Sequence, residues 1–393
     1  MPLMLKDTTL ATKSDRTSPR VNWREWLAPG AIVALALALR FYRLDAQSLW
    51  YDEGWSVHLA QGSLGQLLAQ ASSDGHTHPP GYYILLLLWT RLFRGSVFAV
   101  RSLSVVIGAA TVWAIYRLGR ELFDRFAGLA AATLLALAPA HAVYSQEARM
   151  YVLLGLCYAV VLRLFYRYAL RREAWMRRDW LLLVVAEITA VYAHYFAFMA
   201  LASLAIWILA CLIVQAGRNG LRPLWQWLAS QAIVAVAFAP WMGVAVQRAA
   251  THTALGVTAF AFWPFIAQTW SFLAGGHIAL YGREPHYALA ASIYLGAALA
   301  LWSCSLLICK RLERQAVVYL LMQSVLPLAM IYLLMQARPG FHPRYVLMSL
   351  VPLLALLGQG IVVLWRSNWI GRIGASVVLL AWGAVTALAA RAY

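Results

Sequence analysis

Two adjacent carboxylates, Asp52 and Glu53, end the run L-W-Y-D-E of residues 49–53 and are the strongest local indication of chemistry. In a helix their side chains would point about 100° apart, so they would serve separate tasks rather than share one proton. An aspartate in this setting has the chemistry of a general base that takes a proton from an attacking hydroxyl. The alternative is an acidic pair favoured by the dipole at a helix N-terminus.

A second motif, H-T-H-P-P-G-Y-Y, occupies residues 76–83 and places His78 directly before two prolines that would fix a helix start. His78 is a candidate hydrogen-bond donor to a phosphate. The alternative is a rigid turn with solvated histidines, which suits His76 slightly better. Two histidines are a weak metal motif, and we expect no metal and no cofactor.

Two further motifs lie between long apolar runs. Residues 144–151, Y-S-Q-E-A-R-M-Y, carry Glu147 and Arg149 together, either as a local salt bridge or as an anion clamp, because arginine suits phosphate geometry. Residues 192–196, Y-A-H-Y-F, predict a tight turn with His194 at its apex, either solvated or enclosed by the aromatic residues around it.

The last motif, P-G-F-H-P-R-Y at residues 339–345, places His342, Arg344 and Tyr345 just before an apolar run. Phosphate binding and anchoring at the membrane interface explain Arg344 equally well.

The composition determines what must position these motifs. The 393 residues are 63% hydrophobic and only 12% charged, about half the charge of a soluble domain. The apolar runs are continuous rather than alternating, which predicts an all-α polytopic membrane protein. The net charge of +17 does not indicate a nucleic-acid partner, because the basic residues cluster at the ends of apolar segments.

We predict about eleven transmembrane helices. The short run Pro79–Phe93 is treated as a juxtamembrane helix, because counting it as a span would turn the basic loops outward against the positive-inside rule. The predicted spans are Trp26–Leu44, Ser96–Tyr116, Phe126–Val143, Met150–Leu170, Trp180–Tyr192, Phe196–Gln215, Leu224–Val246, Tyr287–Cys309, Ala316–Gln336, Tyr345–Trp365 and Gly374–Ala390.

This arrangement gives a cytoplasmic basic tail, residues 1–25, and a single transmembrane domain, residues 26–393. A first loop, 45–95, and an outer loop, 247–286, then lie on the extracytoplasmic face of the plasma membrane with the motifs above, while the N-terminus is cytoplasmic. Glycines 275 and 276 predict a hinge in the outer loop. Inside the membrane, Arg163 and Glu187 would lie at similar depth on neighbouring helices, which predicts that they pair.

Two function classes fit a helical bundle with one charged face. A transporter or flippase usually places its charges near the midplane, often with repeat symmetry. Here the charges crowd one face beside a long first loop, which favours an enzyme acting on a lipid-linked substrate.

The motifs in this order resemble the bacterial branch of the dolichyl-phosphate-mannose–protein mannosyltransferase superfamily, GT-C glycosyltransferases to which the aminoarabinose transferase of lipid A is related. The resemblance covers about Phe41–Tyr345. It rests on L-W-Y-D-E, H-P-P-G-Y-Y, Arg101–Ser102, Y-S-Q-E-A-R-M-Y, Y-A-H-Y-F, F-A-P-W at 238–241 and P-R-Y.

The resemblance implies a polyprenyl-phosphate sugar donor, an unidentified hydroxyl acceptor (lipid, glycan or protein), an extracytoplasmic site and inversion at the anomeric carbon. It implies that Asp52 activates or positions the acceptor hydroxyl, with Glu53 as its catalytic neighbour. Larger family members carry an added soluble domain, which argues here against a large folded acceptor. The residues expected to bind substrate are His78, Arg101, Glu147, Arg149, His194, His342, Arg344 and Tyr345.

Overall fold

The computed structural model describes residues 24–73, 78–170, 176–214, 222–251, 261–281, 311–338 and 340–391. These ranges are helical and contain no strand, which confirms the predicted all-α class. The α-helices are α1 Arg24–Phe41, α2 Tyr51–Ala60, α3 Leu64–Ser72, α4 Gly81–Phe93, α5 Val97–Leu122, α6 Arg125–Ala136, α7 Pro139–Ser145, α8 Tyr151–Phe165, α9 Arg177–Ala193, α10 Ala197–Val214, α11 Arg222–Thr251, α12 Phe262–Tyr281, α13 Arg311–Ala337, α14 Leu350–Ser367 and α15 Trp369–Arg391. A π-helical turn, Tyr166–Leu170, follows α8, and a 3₁₀ helix, Pro343–Ser349, precedes α14.

Five helical stretches among the described residues are long and apolar enough to cross a membrane, or six if a bent pair counts as one span. The predicted total of about eleven is therefore not confirmed and stays a prediction. Several predicted spans coincide with helices that are shorter or less apolar, and the span Tyr287–Cys309 lies outside the described residues. The qualifying stretches are Val97–Leu122, Tyr151–Tyr168, Leu224–Ala250, Glu313–Ala337 and Pro343–Ser367, with α6 and α7 as the bent pair.

Helices α5, α6, α8 and α14 form the centre of the bundle. Small residues allow their backbones to approach closely, as in other membrane helix interfaces. A Cβ on Gly119 of α5 would lie 2.9 Å from Cα of Gly128 in α6, and one on Gly358 of α14 would lie 2.7 Å from the backbone nitrogen of Ala131. This core holds the helix ends that carry the predicted motifs.

The predicted span Phe126–Val143 is bent by 63° between α6 and α7, where Pro139 begins the second helix. The carbonyls that the break frees are capped by a buried arginine from α1. Arg40 donates to the carbonyls of Leu135 and Ala136, each at 3.1 Å, and its Nη2 lies 2.8 Å from Nδ1 of His141. A cation at this point also complements the C-terminal dipole of α6.

Gly108 of α5 makes room for the side chains at this break. A Cβ there would lie 2.3 Å from Oγ of Ser145 and 3.4 Å from Nε of Arg40. We expect Gly108→Ala to lower the free energy of unfolding by about 1–3 kcal/mol, because overpacking would displace the capping arginine. Thermal unfolding in detergent measures the effect, and Gly155→Ala, where a Cβ meets nothing within 4 Å, is the control. Equal stability of the two variants would contradict the close packing described here.

The predicted pairing of Arg163 with Glu187 was wrong. Arg163 lies 3.3 Å from a carboxylate oxygen of Glu121 on α5, and Glu187 accepts a hydrogen bond from Gln231 of α11 at 2.8 Å. Helix rise determines only the depth of a residue in the membrane, whereas the rotation of each helix about its axis determines which neighbour its side chain contacts.

The first loop folds into the three short helices α2, α3 and α4. Helix α4 has 13 residues, fewer than the roughly 20 that a membrane span needs, and packs against α2, α5 and α9. Its juxtamembrane position stays a prediction. Gly81 at its start lies against the end of α9, where a Cβ would come within 2.6 Å of the Tyr192 carbonyl oxygen. This close approach brings the first loop to the turn that contains His194.

The outer loop is described only in part. Its predicted flexible point coincides with a break in α12, where Gly276 adopts a φ of 66°. Arg248, at the end of α11, donates to the carbonyls of Ser72 and Ser73 and so joins this loop to the first loop. The division into a tail, a single domain and two functional loops stays a prediction.

Candidate active site

Glu53 and Arg101 form a buried ion pair at the start of α2. Nη2 of Arg101 lies 2.7 Å from Oε2 of Glu53 and Nε lies 2.9 Å from Oε1, and Glu53 is fully buried. The same carboxylate accepts hydrogen bonds from the backbone nitrogens of Trp50, at 3.4 Å, and Ala148, at 2.9 Å. Each oxygen therefore already has two donors.

Arg101 also donates to three carbonyl oxygens of the preceding loop, those of Leu44, Gln47 and Ser48, at 2.9 to 3.1 Å. The pair thus ties α5 to the chain before α2 and to the loop after α7. Glu53 was predicted to be catalytic and Arg101 to bind substrate. Because the carboxylate has no acceptor position left, we propose that both are positioning residues that hold Asp52 in place.

Removing one partner of this pair tests the positioning role. We expect Glu53→Gln to destabilise the protein by about 3–5 kcal/mol, because it leaves the buried Arg101 without its counter-charge. Unfolding in detergent measures this change, with turnover scored per folded molecule. Glu25→Gln is the matched control, since the Glu25–Arg120 pair is exposed and is worth at most about 1 kcal/mol. If Glu53→Gln kept native stability but lost turnover, Glu53 would instead have a catalytic role.

Asp52 meets two arginines from distant parts of the sequence. Its Oδ2 lies 3.1 Å from Nη1 of Arg344 and 3.7 Å from Nη2 of Arg149. Its Oδ1 makes no hydrogen bond or ion pair with the described residues, and the side chain is 22% exposed. The arginines fix one oxygen and leave the other open to a ligand.

Arg149, in the loop after α7, is held by groups of α2 and α4. Nη1 of Arg149 reaches the carbonyl oxygen of Asp52 at 3.2 Å and the hydroxyls of Ser56 and Tyr83, each at 3.4 Å. Arg149 is buried, so these contacts fix a guanidinium in the interior beside Asp52. The anion-clamp interpretation fits this geometry, whereas a local salt bridge to Glu147 is not formed.

His194 lies at the turn between α9 and α10 and is buried rather than solvated. Burial, together with the charges of Arg149 and Arg344, lowers the pKa of His194 to about 3, so the ring is neutral at physiological pH. Its Nδ1 accepts a hydrogen bond from the backbone nitrogen of Phe196 at 3.1 Å, which leaves the proton on Nε2. That N–H has no partner among the described residues.

Three predicted residues line the same region as His194. The ring of His78 lies 5.1 Å from that of His194, and the ring of Tyr345 lies 5.9 Å from it. His342 caps the 3₁₀ helix by accepting from the backbone nitrogen of Arg344 at 3.3 Å, which orients the arginine that follows. Neighbouring His76 lies outside the described residues.

Sequence reasoning missed Tyr151, the first residue of α8. The guanidinium of Arg344 lies 5.7 Å from its ring centroid, and the ring of His194 lies at the same distance. The only sequence signal was its place in the Y-S-Q-E-A-R-M-Y motif, two residues after Arg149.

The site contains buried polar groups that lack an acceptor within the described residues. They are Nε of Arg149, Nε of Arg344, Nε2 of His194 and the hydroxyl of Tyr151, whose oxygen lies close enough to the Arg149 guanidinium to accept from it but whose O–H has no acceptor in the described part of the chain. We call these four residues the donor cluster. Burying several N–H and O–H groups without partners is costly, so the cluster suits an anion with several oxygen atoms.

Glu147 is the remaining carboxyl of the site. It is half-buried, its Oε2 has no hydrogen-bond partner, and its side chain pairs with neither arginine. Burial and then the charge of Glu53 raise the pKa of Glu147 to about 8, against the opposing effect of both arginines. Across the described ranges, no group of three His, Cys, Asp or Glu side chains could hold a metal ion.

Comparison with known proteins gives one family match. Residues 77–243 match the model of the dolichyl-phosphate-mannose-protein mannosyltransferase family. No curated protein sequence matches the chain.

Solved structures share the fold. ArnT from Cupriavidus metallidurans bound to undecaprenyl phosphate is 17% identical with a TM-score of 0.59, over 89% of this chain and 63% of that one. The archaeal oligosaccharyltransferase AglB from Archaeoglobus fulgidus, with an inhibitory peptide and a dolichol-phosphate, is 14% identical with a TM-score of 0.57, over 94% and 56%. The chain therefore spans less than two thirds of the length of these relatives.

Proposed function

We propose that this chain, whose family match and fold confirm its resemblance to the dolichyl-phosphate-mannose–protein mannosyltransferase superfamily, is a glycosyltransferase. It moves a sugar from a polyprenyl-phosphate donor to a hydroxyl acceptor. The single observation that carries this proposal is the donor cluster, four buried groups without acceptors beside the carboxylate of Asp52. Structures of ArnT and AglB with a bound polyprenyl or dolichol phosphate support a donor of this class.

The charge of the site fits such a donor. Arg149 and Arg344 carry two positive charges, Asp52 carries one negative charge, and the raised pKa keeps Glu147 mostly neutral at pH 7. The net charge of about +1 balances the single negative charge of a sugar phosphodiester. A fork of guanidinium donors also matches the geometry of phosphate oxygens.

The donor cluster stabilises the negative charge that develops on the phosphate during transfer. As the bond between the anomeric carbon and the phosphate oxygen breaks, the leaving phosphate gains a second negative charge. Preorganised donors stabilise that charge most in the transition state, which is the source of the rate enhancement. Attack by the acceptor from the opposite face then inverts the anomeric carbon.

Asp52 provides the contact to the acceptor. Its Oδ2 is fixed by Arg344 and Arg149, whereas Oδ1 makes no hydrogen bond with the described residues and can accept one from a hydroxyl. A hydroxyl that donates to Oδ1 is activated or oriented next to the phosphate held by the same two arginines. Helix α2 of the first loop carries Asp52, the loop after α7 carries Arg149 and the 3₁₀ helix carries Arg344, and we place this arrangement at the extracytoplasmic face of the plasma membrane.

Release of polyprenyl phosphate tests the proposal. Purified full-length protein is given a panel of polyprenyl-phosphate sugars and a membrane extract as the acceptor source. Sugar-dependent release that requires the extract is the expected result. No release with any donor, combined with movement of the sugar-lipid across the bilayer of proteoliposomes, would overturn the proposal in favour of a flippase.

A further inference from the structure

We infer that Glu147 is the carboxyl that takes the proton from the acceptor hydroxyl, with Asp52 orienting that hydroxyl and the two arginines. This inference rests on the proposed glycosyl transfer and divides the roles of the two carboxylates within it.

Hydrogen bonds hold the loop that carries Glu147 on both sides of this residue. Before it, the amide of Gln146 donates to the carbonyl oxygens of Arg40 and Tyr42, each at 3.0 Å. After it, the backbone nitrogen of Ala148 donates to Glu53 at 2.9 Å, and Arg149 is held from three directions. The backbone around Glu147 is therefore fixed.

The side chain of Glu147 is the exception in this loop. It makes no hydrogen bond or ion pair with the described residues, and its Oε2 is buried. A buried carboxyl oxygen without a partner is costly unless a ligand supplies the contact. A proton acceptor must be held in position and must have a free oxygen, and the fixed backbone and unpartnered carboxyl of Glu147 meet both conditions.

Asp52 differs from Glu147 in its contacts. Two guanidinium groups contact its Oδ2, at 3.1 and 3.7 Å. This geometry suits Asp52 to hold the two arginines in place and to orient the acceptor hydroxyl through Oδ1.

Charges of both signs surround Glu147. Glu53 and Asp52 on α2 face it with negative charge, and Arg149 in its own loop and Arg344 on the 3₁₀ helix face it with positive charge. Burial outweighs the arginines and brings the pKa of Glu147 to about 8, close to the value that serves a general base near neutral pH.

The oxygen of the acceptor hydroxyl forms a bond to the anomeric carbon while the bond from that carbon to the phosphate oxygen breaks. The bonding electron pair leaves with the polyprenyl phosphate, which the donor cluster holds. The hydroxyl proton passes to the carboxylate of Glu147 and is later released to water.

The pH dependence of polyprenyl phosphate release in Glu147→Gln tests the inference. The native rate is expected to rise with pH up to about pH 8 as Glu147 loses its proton. Glu147→Gln should lower the rate about 10²–10⁴-fold and abolish this rise, while the affinity for polyprenyl phosphate stays within about twofold. Glu147→Asp, which keeps a carboxyl, should recover part of the rate and retain a rise.

Two matched variants separate the possible outcomes. Glu187→Gln removes another buried carboxyl with an unpartnered oxygen, but on α9 beside Gln231, and should leave the rate and its pH rise unchanged. Asp52→Asn should turn over slowly yet keep the rise. A native pH rise in Glu147→Gln would overturn the role of Glu147 alone, whereas no release by the native protein with any donor would overturn the proposed function as well.

Discussion

Asp52→Asn is expected to bind the lipid-linked donor at least as tightly as the native protein and to turn it over at least about 100-fold more slowly. The substitution removes the negative charge that occupies Arg344 and Arg149, so both guanidinium groups become available to the phosphate. Turnover falls because the amide no longer orients the acceptor or fixes the two arginines. Donor affinity and the single-turnover rate, measured separately on purified protein, give the two values.

Asp45→Asn is the control for this prediction. Asp45 is an exposed carboxylate in the same loop, so its substitution should change stability by less than about 0.5 kcal/mol and leave turnover intact. Parallel loss of donor affinity and turnover in Asp52→Asn would mean that the carboxylate is needed to build the site. Unchanged turnover would remove Asp52 from the reaction.

Arg344→Gln is expected to lower kcat/KM by about 10²–10³-fold, the usual cost of removing one donor to a developing oxyanion. Arg344 combines a buried, unpartnered Nε with a second nitrogen 3.1 Å from Asp52, so it links the phosphate to the carboxylate. Arg344→Lys should recover only part of the loss, because an ammonium keeps the charge without the planar fork. Steady-state kinetics with a fixed acceptor measure both variants.

Arg366→Gln is the matched control for Arg344. Arg366 lies near the C-terminal end of α14, far along the chain from the 3₁₀ helix that carries Arg344, and forms a partly exposed pair with Asp124 at 2.6 Å. The same loss of one positive charge there should leave kcat/KM within about twofold, since such pairs contribute little. A similar decrease in both variants would show that overall charge, rather than the geometry of the site, determines turnover.

The sequence predicted the helical class, and it selected motifs whose side chains lie close together in the structure, although their roles stay predictions. Asp52, Arg149, His194 and Arg344 come from four separate motifs, and the structure brings them together. The meeting of these motifs was predictable because each motif falls at an end of an apolar run, where the ends of packed helices come together.

Contacts that depend on helix rotation were not predictable in the same way. The capping of α6 by Arg40 requires the 63° break before Pro139, and the proline alone does not specify which distant side chain fills the gap. The partners of Arg163 and Glu187 depend on which faces of their helices meet. The enclosure of His194 depends on aromatic rings from three separate elements.

The different roles of the two adjacent carboxylates could not be predicted from the sequence either. Asp52 and Glu53 look equivalent as neighbours, and a helical separation of about 100° only says that they face different directions. The structure shows which groups each of the two side chains contacts. Glu53 faces Arg101 and two backbone nitrogens in the interior, whereas Asp52 faces the donor cluster.

The most direct test of the account is whether the chain recognises the phosphate of a polyprenyl phosphate. Native mass spectrometry of the full-length protein in detergent would compare polyprenyl phosphate with the uncharged polyprenol of the same length. We expect one polyprenyl phosphate per chain, bound at least about 10-fold more tightly than the alcohol, because the donor cluster forms hydrogen bonds to a charged group. Equal binding of the two lipids would contradict it, since the chain would then hold only the tail and the donor cluster would not be a phosphate site.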